Sequence, residues 1–231
     1  MKTVVITKPD FYSGEAEDIL RQLDFGAERV HIRKPGAAEA DMRRLLDAIP
    51  IPRRNRLALH DCHNLATEYG IETLHLNGRN PHVPDGWTGR VGVSCHSIAE
   101  LSMHPDADYM FLSPVFDSIS KPGYMATFSA DALQRADLSK VYALGGVSGS
   151  RLAELEALGF CGAAMLGAAW SPVCPDRFRL QFITHANDRY STVEGAEMAL
   201  EGGCRWIQLR MKGASADEVR AAAGQIRPMC R

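Results

Sequence analysis

Short runs of β-branched and aliphatic residues recur from residue 3 to residue 167, and most are separated by a stretch long enough for a helix. They read "TVVIT" (3–7), "RVHIR" (29–33), "RLALH" (56–60), "TLHL" (73–76), "RVGVS" (90–94), "YMFLS" (109–113), "KVYALGG" (140–146) and "CGAAMLG" (161–167). Helical spacing is clearest over 15–24, where Ile19, Leu20 and Leu23 share a face, and around Met42, Leu45, Leu46 and Ile49. Strands alternating with helices predict a parallel sheet, since each crossover must return the chain to the same end of the sheet. Eight such strands predict a closed (β/α)8 TIM barrel. An open doubly wound sheet ordinarily has fewer strands and a G-x-G-x-x-G turn after the first, and that turn is absent.

A second constraint is an internal repeat. Sliding the chain by 177 positions, Arg33 onto Arg210, lays Ile6 and Thr7 on Ile183 and Thr184, and Glu17 on Glu194. Leu23 then falls on Leu200, Gly26 on Gly203, Gly36 and Ala37 on Gly213 and Ala214, and Ile49 on Ile226, without a gap. A period of domain size excludes a solenoid. The chain therefore reads as one barrel over 1–178 followed, over 179–231, by the first two βα units of a second copy. Two βα units do not bury their own faces. That segment is expected to dock on the barrel, to pair with a second copy of the chain in a homo-oligomer, or to continue into further sequence. The linker "AAWSPVCPDRF" leaves no room for an eighth outer helix, and the helical segment 191–202 is expected to cover that gap.

Composition narrows the function classes. The 231 residues are 45% hydrophobic and 23% charged with a net charge of −2, so a sizeable core is available and a broad nucleic-acid or anionic-membrane footprint is not expected. The apolar start is far too short for a signal peptide, and no run reaches the length of a membrane span. Six scattered cysteines without a Cys-x-x-Cys pair predict reduced thiols in a cytoplasmic protein.

In a barrel the working face lies at the C-terminal ends of the strands. Those ends supply His31 and Arg33, His60 and Asp61, His75, Ser94 and His96, Ser113, the loop 117–123, Gly145 and Gly146, and Gly167. "DSISKPG" offers Ser118 and Ser120 as hydroxyl donors and Lys121 as a point charge, a set suited to a phosphate or diphosphate; an ordinary exposed loop is the competing reading. "LGGVS" (144–148) and "MLGAA" (165–169) follow strands seven and eight, whose loops together often form a phosphate site. His60, Asp61 and the neighbouring strand-end histidines also admit a zinc reading, though their spacing fits no fixed zinc motif. Asp61 alone could bridge a hard cation to a diphosphate.

Taken in order, "HIRKP", "HD", "HLNGRN", "GVSCH", "DADYMFLSPVF", "SISK", "LGG" and "MLG" resemble the motif series of the thiamin phosphate synthase/TenI superfamily. In that series, Q-L-R-x-K, N-D, H-L-G-Q-x-D, G-x-S-x-H, G-A-D-Y…G-P-V-F, T-x-T-K and I-G-G mark successive strand ends. The resemblance covers nearly all of 1–178 and again 180–231. It implies an enzyme that joins an aminopyrimidine diphosphate to a thiazole phosphate and releases pyrophosphate, with Mg2+ as cofactor. It assigns Arg33, Asp61, Ser94, Ser118, Ser120 and Lys121 to the diphosphate and Mg2+, with Asn80 at the second metal position. It assigns the backbone at Gly145, Gly146, Leu166 and Gly167 to the thiazole phosphate. The departures gather on the diphosphate side: His31 replaces Gln, His60 replaces Asn, Asn80 replaces a carboxylate, and Pro35 replaces a basic residue for which the adjacent Lys34 is expected to substitute. The TenI-type alternative is a thiazole tautomerase moving a proton with His31, His60, His75 or His96. Its expected strand-six histidine reads Ser113 and Pro114 here. A third reading is a non-catalytic thiazole-phosphate-binding domain fused to a synthase, since "IQLRMKG" (207–213) keeps the full synthase strand end with Gln208, Arg210 and Lys212.

Overall fold

A computed structural model describes residues 1–117, 127–170, 181–202, 204 and 206–230. The chain divides into two compact units, Met1–Ala169 and Trp170–Arg231. The linker expected between 168 and 178 lies, from residue 171 on, outside the described residues.

In the first unit, β1 (Lys2–Ile6), α1 (Glu15–Asp24), β2 (Arg29–Ile32), α2 (Glu39–Asp47), α3 (Ile51–Arg54), β3 (Leu57–Leu59), α4 (Leu65–Glu68) and β4 (Thr73–Leu76) alternate in the expected order. They continue with β5 (Arg90–Cys95), α5 (Ile98–Leu101), β6 (Tyr109–Leu112), α6 (Ala130–Gln134), β7 (Val141–Ala143), α7 (Leu152–Ala157) and β8 (Gly162–Met165). The eight strands are all parallel, each paired with its sequence neighbour, and β8 closes on β1 with Lys2 opposite Gly162 and Val5 opposite Met165. This is the (β/α)8 barrel that the alternation predicts. The β4–β5 connection departs from it: residues 77–89 hold no helix, and only a tight turn bridging Asn77 and Asn80 orders the start of the loop.

Period-two alternation sorts the strand side chains. Val4, Ile6, Tyr109, Phe111, Tyr142 and Ala164 fill the barrel interior, while Met110, Leu112, Val141, Ala143 and Ala163 face the outer layer with Leu101, Leu133 and Leu155. Each of the wholly buried aliphatic side chains contributes roughly 1.5–3 kcal/mol by leaving water. Large and small residues interlock inside the barrel. A Cβ on Gly92 would enter the Tyr109 ring, so glycine at that strand position makes room for the aromatic.

The second unit holds β9 (Gln181–Ile183), α8 (Thr192–Glu201), β10 (Trp206–Gln208) and α9 (Ala216–Ile226). Its strands form a two-stranded parallel sheet with Phe182 opposite Ile207. Both helices begin with capping boxes, Ser191 with Glu194 and Ser215 with Glu218. The positions 177 residues earlier, Gly14 and Ala38, start α1 and α2 without a side-chain cap. Among the described residues, no helix is long and apolar enough to cross a membrane.

Candidate active site

A cavity of about 300 Å³ opens at the C-terminal ends of the barrel strands. Ile6 and Phe111 are among its apolar lining, Arg33, His60, Arg79 and Ser94 line it too, and Gly145, Gly146, Leu166 and Gly167 supply backbone. Of the strand-end positions singled out from sequence, Arg33, His60, Ser94, His96, Ser113, Gly145, Gly146 and Gly167 meet at this cavity, whereas His31, Asp61 and His75 are buried and do not line it. Ser118, Ser120 and Lys121 lie outside the described residues.

Arg33 is held by its own backbone. Thr7, buried at the end of β1, accepts from the Arg33 N–H and donates to the Arg33 carbonyl. The guanidinium has no acceptor among the described residues, and burial together with the neighbouring charge of Arg79 lowers its pKa. It is a cation held ready for an anion.

Lys34 does not play the part expected of it. Its ammonium group is fully buried and donates to Glu15 Oε1 at 2.6 Å, the Asp10 carbonyl at 2.8 Å and the Lys8 carbonyl at 3.0 Å. An ammonium has three N–H donors, so none remains for a diphosphate. Burial raises the Glu15 carboxyl and lowers the Lys34 ammonium, while their contact opposes both shifts. Lys34 braces the loop after β1 against α1; it does not replace the basic residue lost at Pro35.

Asp61 follows β3 and is buried. Its Oδ2 accepts from the Lys34 backbone N–H at 2.9 Å, and its Oδ1 accepts from Asn80 Nδ2 at 3.0 Å and Arg79 Nη2 at 3.4 Å. Asn80 Nδ2 also donates to the His60 carbonyl at 2.9 Å, as does Asn77 Nδ2 at 3.1 Å. Arg79 escapes sequence reasoning because it occupies the variable place of the H-L-G-Q-x-D pattern. The signal available was a cation appearing directly beside the position where a carboxylate had been replaced.

His31, His60 and His75 form a buried cluster across β2, β3 and β4. His31 Nδ1 and His60 Nε2 lie 2.9 Å apart, so one donates and the other accepts, and the two rings do not both carry a positive charge. His60 stacks on His75 with centroids 4.2 Å apart. His75 bonds the Tyr109 hydroxyl at 3.2 Å and Ser94 Oγ at 2.9 Å. Burial lowers the pKa of all three below the ordinary histidine value, that of His75 to about 3. Their nitrogens lie within 4.8 Å of one another, the reach of a metal set. Both His75 nitrogens already have partners, however, and stacked rings do not aim at a common point. The geometry is that of a neutral hydrogen-bonded stack. Of the three, only His60 lines the cavity; His31 and His75 lie behind it.

On the opposite wall Gly145 and Gly146 both have left-handed backbone, with φ of 91° and 64°. A Cβ on Gly145 would come within 2.8 Å of Pro114, and one on Gly146 would strike the Asp117 carbonyl, so only glycine fits this close approach. Their carbonyl side is engaged by the loop after β6, with Phe116 N–H donating to the Gly145 oxygen at 3.1 Å. Their own N–H groups donate to no acceptor among the described residues. Free N–H groups beside a cavity form an anion cradle.

A profile of the family described as thiamine monophosphate synthase matches residues 3–169 and again 180–231. The chain belongs to this family. The thiamine phosphate pyrophosphorylase of Bacteroides thetaiotaomicron, a solved structure, is 35% identical with a TM-score of 0.66, over 74% of this chain and 85% of that one. The pyrophosphorylase of Pyrococcus furiosus shares the fold at 18% identity and TM-score 0.62, over 87% and 96%. Thiamine-phosphate synthase of Bacteroides fragilis is 64% identical over 52 residues, which are 22% of this chain and 26% of that protein. The chain thus spans about a quarter of the length of that curated relative.

Proposed function

We propose that the barrel carries the transferase chemistry of its family: a thiazole phosphate nitrogen attacks the exocyclic carbon of an aminopyrimidine diphosphate, the carbon–oxygen bond breaks, and pyrophosphate leaves with thiamin phosphate as the other product. The single observation that carries this reading is the two-sided cavity, with the Arg33 guanidinium on one wall and the N–H groups of Gly145 and Gly146 on the other, none of which has an acceptor among the described residues. Two separated anion sites around an apolar floor suit two phosphorylated substrates. In this reading Arg33 takes up charge developing on the leaving diphosphate and the glycine turn fixes the thiazole phosphate. Ser94, held by His75, offers a hydroxyl at the same cavity; Leu166 and Gly167 complete the phosphate wall. Ser118, Ser120 and Lys121 belong to the same proposal through the resemblance. Five free cysteines among the described residues support a cytoplasmic setting.

Family resemblance also implies Mg2+, held by Asp61 and Asn80. The residues present do not fit that ion. Magnesium requires oxygen ligands in near-octahedral array. Asp61 already accepts three N–H groups, and Asn80 turns its NH2 end, not its oxygen, toward Asp61.

A tautomerase reading has its own supporting observation: His60, neutral and hydrogen-bonded to His31, lines the cavity as a proton carrier would. One assay separates the two. Incubating the full chain with pyrimidine diphosphate and thiazole phosphate should yield thiamin phosphate. Absence of product with retained thiazole-phosphate binding would favour proton transfer or a binding role, and absence of both would overturn the proposal.

A further inference from the structure

The polar groups around Asp61 are arranged for an anion rather than for a divalent cation. The Asn80 amide is locked in orientation: Nδ2 donates both to the His60 carbonyl at 2.9 Å and to Asp61 Oδ1 at 3.0 Å. Flipping it would set its oxygen against two other oxygens, so position 80 offers no ligand beside Asp61. Arg79 instead brings a guanidinium to the same carboxylate oxygen. Across from it, Arg33 lines the same cavity, feels the Arg79 charge, and has no acceptor among the described residues. Two guanidiniums therefore face one carboxylate, and one positive charge is left unbalanced. Lys34 does not alter that balance, since Glu15 neutralises it. The turn that carries Arg79 is rigid without its side chain: Asn77 and Asn80 exchange backbone hydrogen bonds at 3.2 and 3.0 Å, and Asn77 Oδ1 accepts the Arg79 N–H at 3.0 Å.

We propose that this half of the cavity is a metal-independent pyrophosphate clamp, in which the Arg79 guanidinium, anchored on Asp61, stands where a divalent cation would otherwise bridge carboxylate to phosphate, and Arg33 supplies the second contact. The clamp rests on reading the cavity as a phosphorylated-substrate site, and it adds that this site needs no cation. Guanidinium suits the task because its planar fork pairs two phosphate oxygens at once while a third N–H holds the carboxylate. Asp61 then acts as a positioning residue.

The test is calorimetric binding of inorganic pyrophosphate to the full chain, in EDTA and again with excess Mg2+. The clamp predicts binding in EDTA at least as tight as with Mg2+. Arg79→Ala should weaken binding in EDTA by about tenfold or more, the loss of one charge-assisted contact, and Arg79→Lys by less. Arg79 is nearly half exposed, so its removal leaves the core intact, which circular dichroism would verify. The double variant Arg79→Ala with Asn80→Asp, which restores a second carboxylate, should bind only when Mg2+ is added. Wild-type binding that requires Mg2+, or an Arg79→Ala variant with unchanged affinity in EDTA, would overturn the clamp. Thiazole-phosphate binding measured alongside separates the two claims. If it persists while pyrophosphate fails to bind under either condition, the clamp falls and the phosphate wall stands. If neither ligand binds, the substrate reading falls with it.

Discussion

Thr7 and Arg33 exchange two hydrogen bonds, the threonine Oγ1 accepting from the arginine N–H at 3.0 Å and donating to its carbonyl at 3.3 Å. Thr184 and Arg210, 177 residues later, repeat the arrangement at 2.8 and 3.2 Å. The clasp fixes the backbone of the arginine at the end of the second strand of each segment and leaves its side chain free.

Removing the hydroxyl should therefore disturb the arginine without emptying the core. Thr7→Val leaves the Arg33 N–H unpaired in a buried site and is expected to cost about 1–3 kcal/mol in urea unfolding. It should also weaken pyrophosphate binding, because Arg33 loses its fixed starting point. Unchanged values for both would refute the clasp's role.

The histidine stack predicts acid sensitivity. The folded protein holds His31, His60 and His75 neutral, with lowered pKa values, while the unfolded chain protonates them near pH 6.5. Unfolding then takes up protons, so the stability is fully present above about pH 6.5 and is lost as the pH falls below it, by up to about 1.4 kcal/mol per pH unit for each group. Urea titrations at several pH values should show this slope, and His31→Gln should reduce it by about one proton's worth.

The buried pair of Lys34 and Glu15 predicts strong coupling. Lys34→Met strands a carboxyl in the interior and should cost about 3–5 kcal/mol, whereas pairing it with Glu15→Leu should recover most of that loss. Additive single and double effects in chemical denaturation would argue against it.

An uncapped helix offers a gain. Ala38 starts α2 with φ −67° and ψ 144°, close to the −70° and 161° of Ser215 at its repeat counterpart. Ala38→Ser fits that backbone and should add about 1 kcal/mol, raising the melting temperature by roughly 2–4 °C. Gly14, the uncapped start of α1, has φ 84°, so serine there would be strained.

The glycine wall predicts a binding defect. Gly146→Ala would drive a Cβ into the Asp117 carbonyl from a left-handed backbone, so the turn must move. Thiazole-phosphate affinity should fall by about tenfold or more with the circular dichroism spectrum unchanged.

The barrel was legible because each buried strand writes a short apolar run and α1 follows its periodicity from residue 15 to 24. The strand-end rule then found Arg33, Asp61, Ser94 and the glycine turns. It missed what depends on contacts distant in sequence. Lys34 is claimed by Glu15 and by the Lys8 and Asp10 carbonyls, none of which any local pattern connects to it. The stack of His31, His60 and His75 follows from which strand positions turn inward, and a list of strand ends does not carry that information. Arg79 sits on a helix-free loop, where periodicity has nothing to report.

That loop gives the barrel a division of labour between its parts. The turn over residues 77–80 is held by its two asparagines, and Arg79 stands at its tip with its side chain turned to the mouth. A single codon change there can reset the charge of the entrance while every strand pairing and buried contact stays as it was. The mouth can therefore drift toward new anions, or back toward a cation, without first passing through an unstable protein.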